Sequence, residues 1–367
     1  MAKIISSKRG YRVKEVIVHM NPDSDEQHRS TFLRNRNTAL ATRIATMLGG
    51  KVCDLAAANG FPRYFVPLNA LSQPFATEQG IQTLDDLYGS VVQHHLHGHK
   101  GVLHKLVPGG YAPAPYSRSF AQTVTPAVLP GFTAFSPEDA AQAFTELEGQ
   151  GHVVRYKDPR QANCRGQAVV ENADHAKWLA GQLGEHLSQQ GAVLEANLRN
   201  PETFNVGLLH FDGKSYSFIG DQRIAKDTKG AETYVGTTLR MVRGGLGQLA
   251  QAPGLDAAKQ WGVRQAQTVG DAYDHLDVMS SRMELDVIQG TSGDSDETLS
   301  GVADPALRPG GASSAELLAI EKLRDNPALS EVSTRVDVHF GTPPKSLIGH
   351  KTLFFVGENR YITTEEL

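Results

Sequence analysis

The stretch His152–Val170, HVVRYKDPRQANCRGQAVV, reads as a strand, a polar loop and a second strand, with Lys157 closing the first strand. The loop runs from Asp158 to Gly166 and carries Pro159, Arg160, Asn163 and Arg165. A lysine beside a loop of free backbone N–H groups suits a nucleotide phosphate. The loop can form a nest of donors, and the ammonium adds a compact point charge. Lys100 is a second lysine near an expected strand. Further on, the run VLEANL places Glu195 seven residues before Glu202. Asp286 falls late in one expected strand and Asp304 ends the next, so a tight hairpin brings them together. Arg308 then precedes Gly310-Gly311 and a helix start at Ser313. Paired carboxylates on neighbouring strands are what Mg²⁺ on a triphosphate requires, since magnesium takes one or two carboxylates plus phosphate oxygens. Lysines and a loop opposite them would neutralise the rest of the charge. Each feature alone has a plainer reading: a basic-tipped surface hairpin, turn-flanking acids, or edge residues of a sheet.

The elements that must position these residues follow from periodicity and punctuation. A strand is expected from Val13 to His19, a helix from about His28 to Leu48 stopped by Gly49-Gly50, and a second strand from Arg63 to Leu68. Shorter helical stretches near Thr77 and from Leu84 to about His95 complete a small α/β layer with parallel strands. No GxGxxG follows the first strand, so a dinucleotide fingerprint is missing. The run HHLHGHKGVLH, His94–His104, lacks interleaved carboxylates or cysteines and reads as a partly exposed titrating segment rather than a metal cluster. A Pro- and Gly-containing linker, VPGGYAPAPYSRSFAQTVTPAVLPGF, leads onward.

Ser136 caps a helix from Pro137 to Glu148, with Pro and acids in the first turn. An amphipathic helix is expected from about Ala173 to Gln190, with Trp178, Leu179, Leu183 and Leu187 on one face. Strand-like runs follow at Ala192–Leu198, Phe204–Phe211, Tyr216–Gly220 and Thr233–Met241, with Asp212-Gly213 marking an antiparallel hairpin. A long helix fits Leu255 to Met279. Strands at Met283–Ile288 and Leu299–Ala303 come next, joined by TSGDSDE. Ser313-Ser314-Ala315-Glu316 reads as a capping box opening a helix to about Arg324, and short strand-like pieces follow Arg335.

Composition narrows the class. The chain has 367 residues, long enough for two or three domains, and its 40% hydrophobic and 21% charged residues are an ordinary globular balance. A net charge of −4 provides no basic field for nucleic acid or membrane. Only Cys53 and Cys164 occur, without a CxxC spacing, which argues against a disulfide framework and a structural zinc site. No signal-peptide h-region and no apolar run near the ~20 residues of a span are present. The expectation is a cytoplasmic protein.

In order and spacing these features resemble the ATP-grasp superfamily, and within it the group called DUF3182, from about Tyr64 to Leu329. The pieces that carry the resemblance are YFVPLNAL, HKGVLHKLV, LPGFTAFS, VRYKDPRQANCRGQAVV, VLEANLRNPETFNVG, IGDQRIAKD, SRMELDVIQG and SGVADPALRPGGASSAELLAI. The resemblance implies an α/β and α+β architecture, in which two α+β lobes clasp ATP after a small Rossmann-like domain. The implied divisions are 1–108 for that domain, 109–191 and 192–340 for the two lobes, and 341–367 for a C-terminal tail.

It also implies roles. Lys100 and Lys157 look like the lysines on the α- and β-phosphates, and Asn163 to Gly166 like the loop that closes over them. Glu195, Ala196, Asn197 and Leu198 look like the hinge whose backbone reads the adenine edge, and Glu202 like the acid on the ribose. Asp286 and Asp304 look like the Mg²⁺ carboxylates, and Arg308 with Gly310 and Gly311 like the end of the cleft where an acyl phosphate forms. Arg282 would reach the γ-phosphate or the substrate carboxylate, and Lys226 and Arg223 are further phosphate or substrate candidates.

Three departures stand out. Ala306 occupies the position of a third, asparagine ligand, Asp304 is one methylene shorter than the usual glutamate, and the loop has little glycine. The implied activity is ATP-dependent ligation of a carboxylate to an amine, or less often a thiol, through an acyl phosphate. The alternatives are a non-catalytic or regulatory ATP-binding module with a lapsed metal site, and a phosphotransferase without ligation. The implied partners are small-molecule carboxylate and amine substrates, without nucleic acid or membrane, and a homodimer is compatible with the family.

Overall fold

The computed structural model describes residues 15–19, 31–58, 62–161, 165–226, 232–293, 297–349, 352–357 and 359–367. The N-terminal layer is built on a parallel sheet. Strand β1 (Glu15–His19) is followed by helix α1 (Thr31–Leu48), β2 (Lys51–Cys53) and β3 (Arg63–Pro67), paired in the order β2-β1-β3. The helix lays Leu40, Ala41 and Ile44 inward from a face of 3.6 periodicity. Short strands β4 (Leu71–Ser72) and β5 (Ser90–Val92), with α2 (Gln73–Gln79) between them, extend this layer. The helix expected from Leu84 to His95 is not formed. Asp86 caps a single 3-10 turn at Leu84–Asp86, and the β-branched pair Val91-Val92 joins a sheet instead.

The expected linker contains structure of its own in α3 (Arg118–Val124). A four-stranded antiparallel sheet follows, from β6 (Gly131–Ala134), β7 (Val154–Lys157), β8 (Gln167–Val170) and β9 (Ala192–Ala196), in the order β6-β9-β7-β8. Helix α4 (Pro137–Gly149) opens on Ser136, whose Oγ accepts from the Asp139 N–H at 3.0 Å. The expected long helix is two pieces, α5 (Ala173–Gly181) and α6 (Glu185–Gln190). The break falls at Gly184, whose positive φ of 56° is one that only glycine adopts cheaply. Leu183 and Leu187 reach the core, whereas Trp178 is 59% exposed.

The largest sheet has eight strands. In chain order they are β10 (Leu198–Phe211), β11 (Lys214–Lys226) and β12 (Glu232–Arg243), then, after α7 (Leu246–Ala250) and α8 (Ala257–Ala272), β14 (Arg282–Ser292) and β15 (Thr298–Ala306). Helix α9 (Ser313–Asp325), β16 (Glu331–Phe340), β17 (Leu353–Val356) and β18 (Arg360–Glu366) complete it, in the order β15-β14-β10-β11-β12-β16-β18-β17. The short β13 (Met279–Ser280) leaves this lobe to pair with β5 of the N-terminal layer. Asp212 and Gly213, with φ of 50° and 71°, make the two-residue turn between β10 and β11.

Alternation along β14 decides where the chemistry sits. Met283, Leu285 and Val287 pack with Val263, Ala266 and Val269 of α8. By the period of two, Arg282, Glu284 and Asp286 then share the opposite face. On that side, α9 and α1 cover the rest of the sheet through Ile320, Leu323, Leu40 and Ile44. No helix among the described residues is long and apolar enough to cross a membrane.

Candidate functional site

One group of charges lies in the four-stranded sheet. Lys157, at the end of β7, places Nζ 2.5 Å from Oε1 of Glu195 on β9, and His104 places Nε2 3.2 Å from Oε2. Glu195 is 1% exposed. Burial opposes its charge, but the Lys157 ammonium and the His104 ring outweigh burial and hold its pKa down at about 2. Lys157 is therefore already paired. Lys100 is buried as well, but it bridges: its Nζ donates to the Gln161 carbonyl at 2.9 Å and meets Asp304 Oδ2 at 2.8 Å. Through Lys100 the loop after β7 touches the hairpin of β14 and β15.

That hairpin sets the carboxylates. Asp286 and Asp304 are directly opposite in the register, with an irregularity immediately after Asp286. Asn205 of β10 lies across from Asp286 on the other side. Its Nδ2 donates to Asp286 Oδ1 at 2.8 Å and to Glu284 Oε1 at 3.0 Å, and Gln222 Nε2 donates to the same Asp286 oxygen at 2.9 Å. Asp286 itself is half-buried. Burial, then the charges of Glu284 and Asp304, push its pKa up to about 8.

A site that crowds carboxylates until one resists ionising is suited to a divalent cation, which would neutralise them together. Asn205 adds a second mark. Its Oδ1 is a buried oxygen without a hydrogen-bond partner among the described residues, and turning the amide over would present an oxygen ligand of the kind Mg²⁺ accepts. Among the described residues no three His, Cys, Asp or Glu side chains close on an ion-sized space. Two carboxylates, an amide and the phosphates of a nucleotide would be the donor set. The residues present fit the metal.

Arg282 stands apart from its expected role. It is fully buried, and its guanidinium donates to Glu316 Oε1 at 2.6 Å, to Glu316 Oε2 at 3.1 Å and to the Ala306 carbonyl at 3.0 Å. It also donates to Glu284 and to the Arg308 carbonyl. Tyr88 of the N-terminal layer donates to Glu316 from above. With five acceptors engaged, Arg282 fixes the 306–308 turn and has no reach left for a phosphate. The expected capping box at Ser313 is corrected by the same network. The helix cap is Ala312, Ser313 Oγ accepts from the Gly310 N–H at 2.9 Å, and Glu316 is taken by the buried guanidinium. Gly311 is required because a Cβ there would lie 2.7 Å from the Tyr234 ring.

Arg308 is differently placed. Among the described residues the one hydrogen bond of its guanidinium is a long one, 3.3 Å from Nη1 to the Pro309 carbonyl, and no carboxylate pairs with it. The same carbonyl accepts from Nη2 of Arg36 at 3.0 Å. Burial and the neighbouring guanidiniums of Arg308 and Arg282 push the pKa of Arg36 down to about 10.

The remaining expected residues divide. Gly166 has a φ of 67° and its carbonyl accepts from the Asp158 N–H at 2.8 Å, closing the base of the loop. Asn163 lies outside the described residues. The amides of Ala196 and Asn197 already donate to the Pro130 and Val153 carbonyls at 2.8 and 2.7 Å, so they are closed to a purine edge, while Leu198 begins β10. Glu202 is exposed with no ion pair among the described residues, and Lys226 is exposed at the end of β11. Arg223 is held by Asp337, Thr238 and the Val336 carbonyl. Glu284, Glu316, Asn205, Gln222 and Arg36 escaped the sequence reading. Glu284 alone carried a signal, standing two residues before Asp286 on the same strand face.

The family described as "Protein of unknown function (DUF3182)" matches residues 16–363. No curated protein matches the sequence. Among solved structures, the N5-carboxyaminoimidazole synthetase of Staphylococcus aureus is 10% identical, with 97% of this chain and 95% of that one covered and a TM-score of 0.52. The biotin carboxylase domain of Hydrogenobacter thermophilus 2-oxoglutarate carboxylase, solved with MgADP, ADP and bicarbonate, is 12% identical, covering 91% of this chain and 76% of that one at a TM-score of 0.51. The biotin carboxylase of Campylobacter jejuni is 12% identical, covering 91% and 77% at 0.50. At these identities the likeness is one of fold, and the fold is ATP-grasp.

Proposed function

The chain belongs to the DUF3182 family, and from that premise we propose that it is an ATP-dependent carboxylate–amine (or thiol) ligase. The observation that carries this reading is the register pairing of Asp286 with Asp304, joined by the 2.8 Å contact of Lys100 with Asp304. Acids for a metal and a lysine for phosphate thus meet at one point. In the proposed reaction a substrate carboxylate attacks the γ-phosphate of ATP, giving an acyl phosphate and ADP. An amine then displaces phosphate to form an amide.

Mg²⁺, bound by Asp286 and Asp304 with Glu284 and Asn205 beside them, would neutralise the phosphate oxygens. Lys100 and Lys157 would exchange their acidic partners for the α- and β-phosphates, and the loop carrying Asn163 and Gly166 would cover them. Leu198 and the carbonyls of residues 195–197 would border the adenine, Glu202 would accept from the ribose, and Lys226 would approach the phosphates from β11. Arg308 would stabilise charge on the transferred group. Arg282 would act as a positioning residue, holding the Arg308 carbonyl and Glu284. The protein's part is alignment and neutralisation, not covalent chemistry.

A second reading, a non-catalytic or regulatory ATP-binding module, draws on Ala306, which offers no ligand beside Asp304. The two readings separate in one assay. Purified protein with Mg²⁺, ATP and panels of acids and amines should release ADP and phosphate in equal amounts with a new amide. ATP that is bound but unchanged across all panels would favour the module.

A further inference from the structure

Arg282 and Arg36 both donate to carbonyls of one turn, but among the described residues only Arg282 meets carboxylates there. Arg36 is 9% exposed on α1, and its Nε and Nη2 donate to Asn37 Oδ1 at 3.2 and 2.9 Å. Its Nη2 also donates to the Pro309 carbonyl, which Arg308 approaches as well. Among the described residues, Arg36 Nη1 has no partner and neither Arg36 nor Arg308 has an acidic one. Two guanidiniums therefore converge on a single neutral oxygen, a costly arrangement that an anion between them would relieve.

The position of Arg36 is also defined by the fold. Asn37 Nδ2 donates to the Pro67 carbonyl at 3.0 Å, which fixes this part of α1 at the carboxyl end of β3. In open parallel sheets that end is where ligands bind. The N-terminal layer thus turns its binding edge toward the turn at 308–311, next to Asp286 and Asp304, whose charges act on Arg308.

We infer that Arg36 and Arg308 together form the anchor for an organic carboxylate, the acyl substrate of the reaction, gripped between the N-terminal layer and the 308–311 turn. This rests on the ligase reading for the identity of the ligand as the acyl substrate. The anchor itself does not depend on ATP. Planar guanidiniums grip carboxylates through paired hydrogen bonds, and two from separate layers hold the ligand against both. The reacting oxygen is then delivered beside the metal acids, and the N-terminal layer selects the acid.

The test is calorimetric titration of the full chain with malonate, succinate and glutarate, with inorganic phosphate as a separate arm, at constant ionic strength. A dicarboxylate should saturate the wild type, and Arg36→Gln and Arg308→Gln should each weaken it at least tenfold, with Arg36→Lys between. Equal affinity in wild type and Arg36→Gln, or no saturation by any carboxylate, would overturn the anchor. Saturation by phosphate alone would overturn the carboxylate assignment. Thermal melting checks each variant. If Arg36→Gln does not fold, Arg308→Gln, which loses one long hydrogen bond, carries the same comparison. A parallel titration with MgATP separates the two claims: carboxylate binding without ATP binding removes the ligase reading and leaves the anchor, and the reverse removes only the anchor.

Discussion

Around Glu195 the charge is matched: Lys157 pairs with one of its oxygens, His104 sets a ring nitrogen against the other, and Glu195 stays ionised although buried. Around Asp286 and Arg308 the matching is partial. Lys100 pairs with Asp304, and Arg282 with Glu284 and Glu316, but among the described residues Asp286 has no cationic partner in an ion pair and neither Arg36 nor Arg308 has an acidic one. The first arrangement suits a structural corner that lysine leaves only for a stronger anion. On the proposed reading a cation would complete the second at the carboxylates and an anion at Arg36 and Arg308. The difference separates charges that are matched within the fold from charges that are not, and substitutions should tell the two apart.

The pairing of Arg282 with Glu284 and Glu316 should cost most. Arg282→Met leaves Glu284 and Glu316 buried without their cation, and a loss of about 3–5 kcal/mol is expected in urea denaturation. A loss below about 1 kcal/mol would show that Arg282 does not organise the turn. Next comes the balanced corner. The pKa of Glu195 is lowered on folding, so its stabilisation is complete above its unfolded value near 4.5 and disappears as pH falls through about 2. Glu195→Gln should therefore destabilise at pH 7 by on the order of 3 kcal/mol and flatten the acid limb of the stability curve. An unchanged limb would mean that the pair carries no net charge stabilisation.

The unbalanced end should behave the other way. Asp286→Asn is expected to leave thermal stability unchanged or raise it by about 1 kcal/mol, because it relieves like charges, while weakening magnesium-dependent ATP binding roughly tenfold, about 1.4 kcal/mol. Marked destabilisation with normal magnesium dependence would place Asp286 among the structural charges. The smallest effect belongs to Trp178→Ala, expected within about 0.5 kcal/mol of wild type by the same denaturation measurement, since the side chain is exposed.

Local chemistry made much of this fold legible. The Ser136 cap, the Asp212-Gly213 turn and the hairpin that sets Asp286 against Asp304 all depend on residues close in sequence. The failures are nonlocal. Val91 and Val92 became a strand because β4 and β13 offered edges, and Glu316 left its expected cap because a guanidinium 34 positions away was buried beside it. Asn205 and Gln222 entered the site only through the adjacency of β14, β10 and β11, and Arg36 only through the stacking of α1 on the far lobe. Periodicity assigns a residue to a face, but not the strand that will lie beside it.

The most direct test of the cleft is calorimetric titration of the full chain with ATP, first with Mg²⁺ and then with EDTA. Micromolar binding that weakens at least tenfold on chelation is the predicted result. Binding that ignores magnesium, or no binding at all, would contradict the account that Asp286, Asp304 and the two lysines form one nucleotide site.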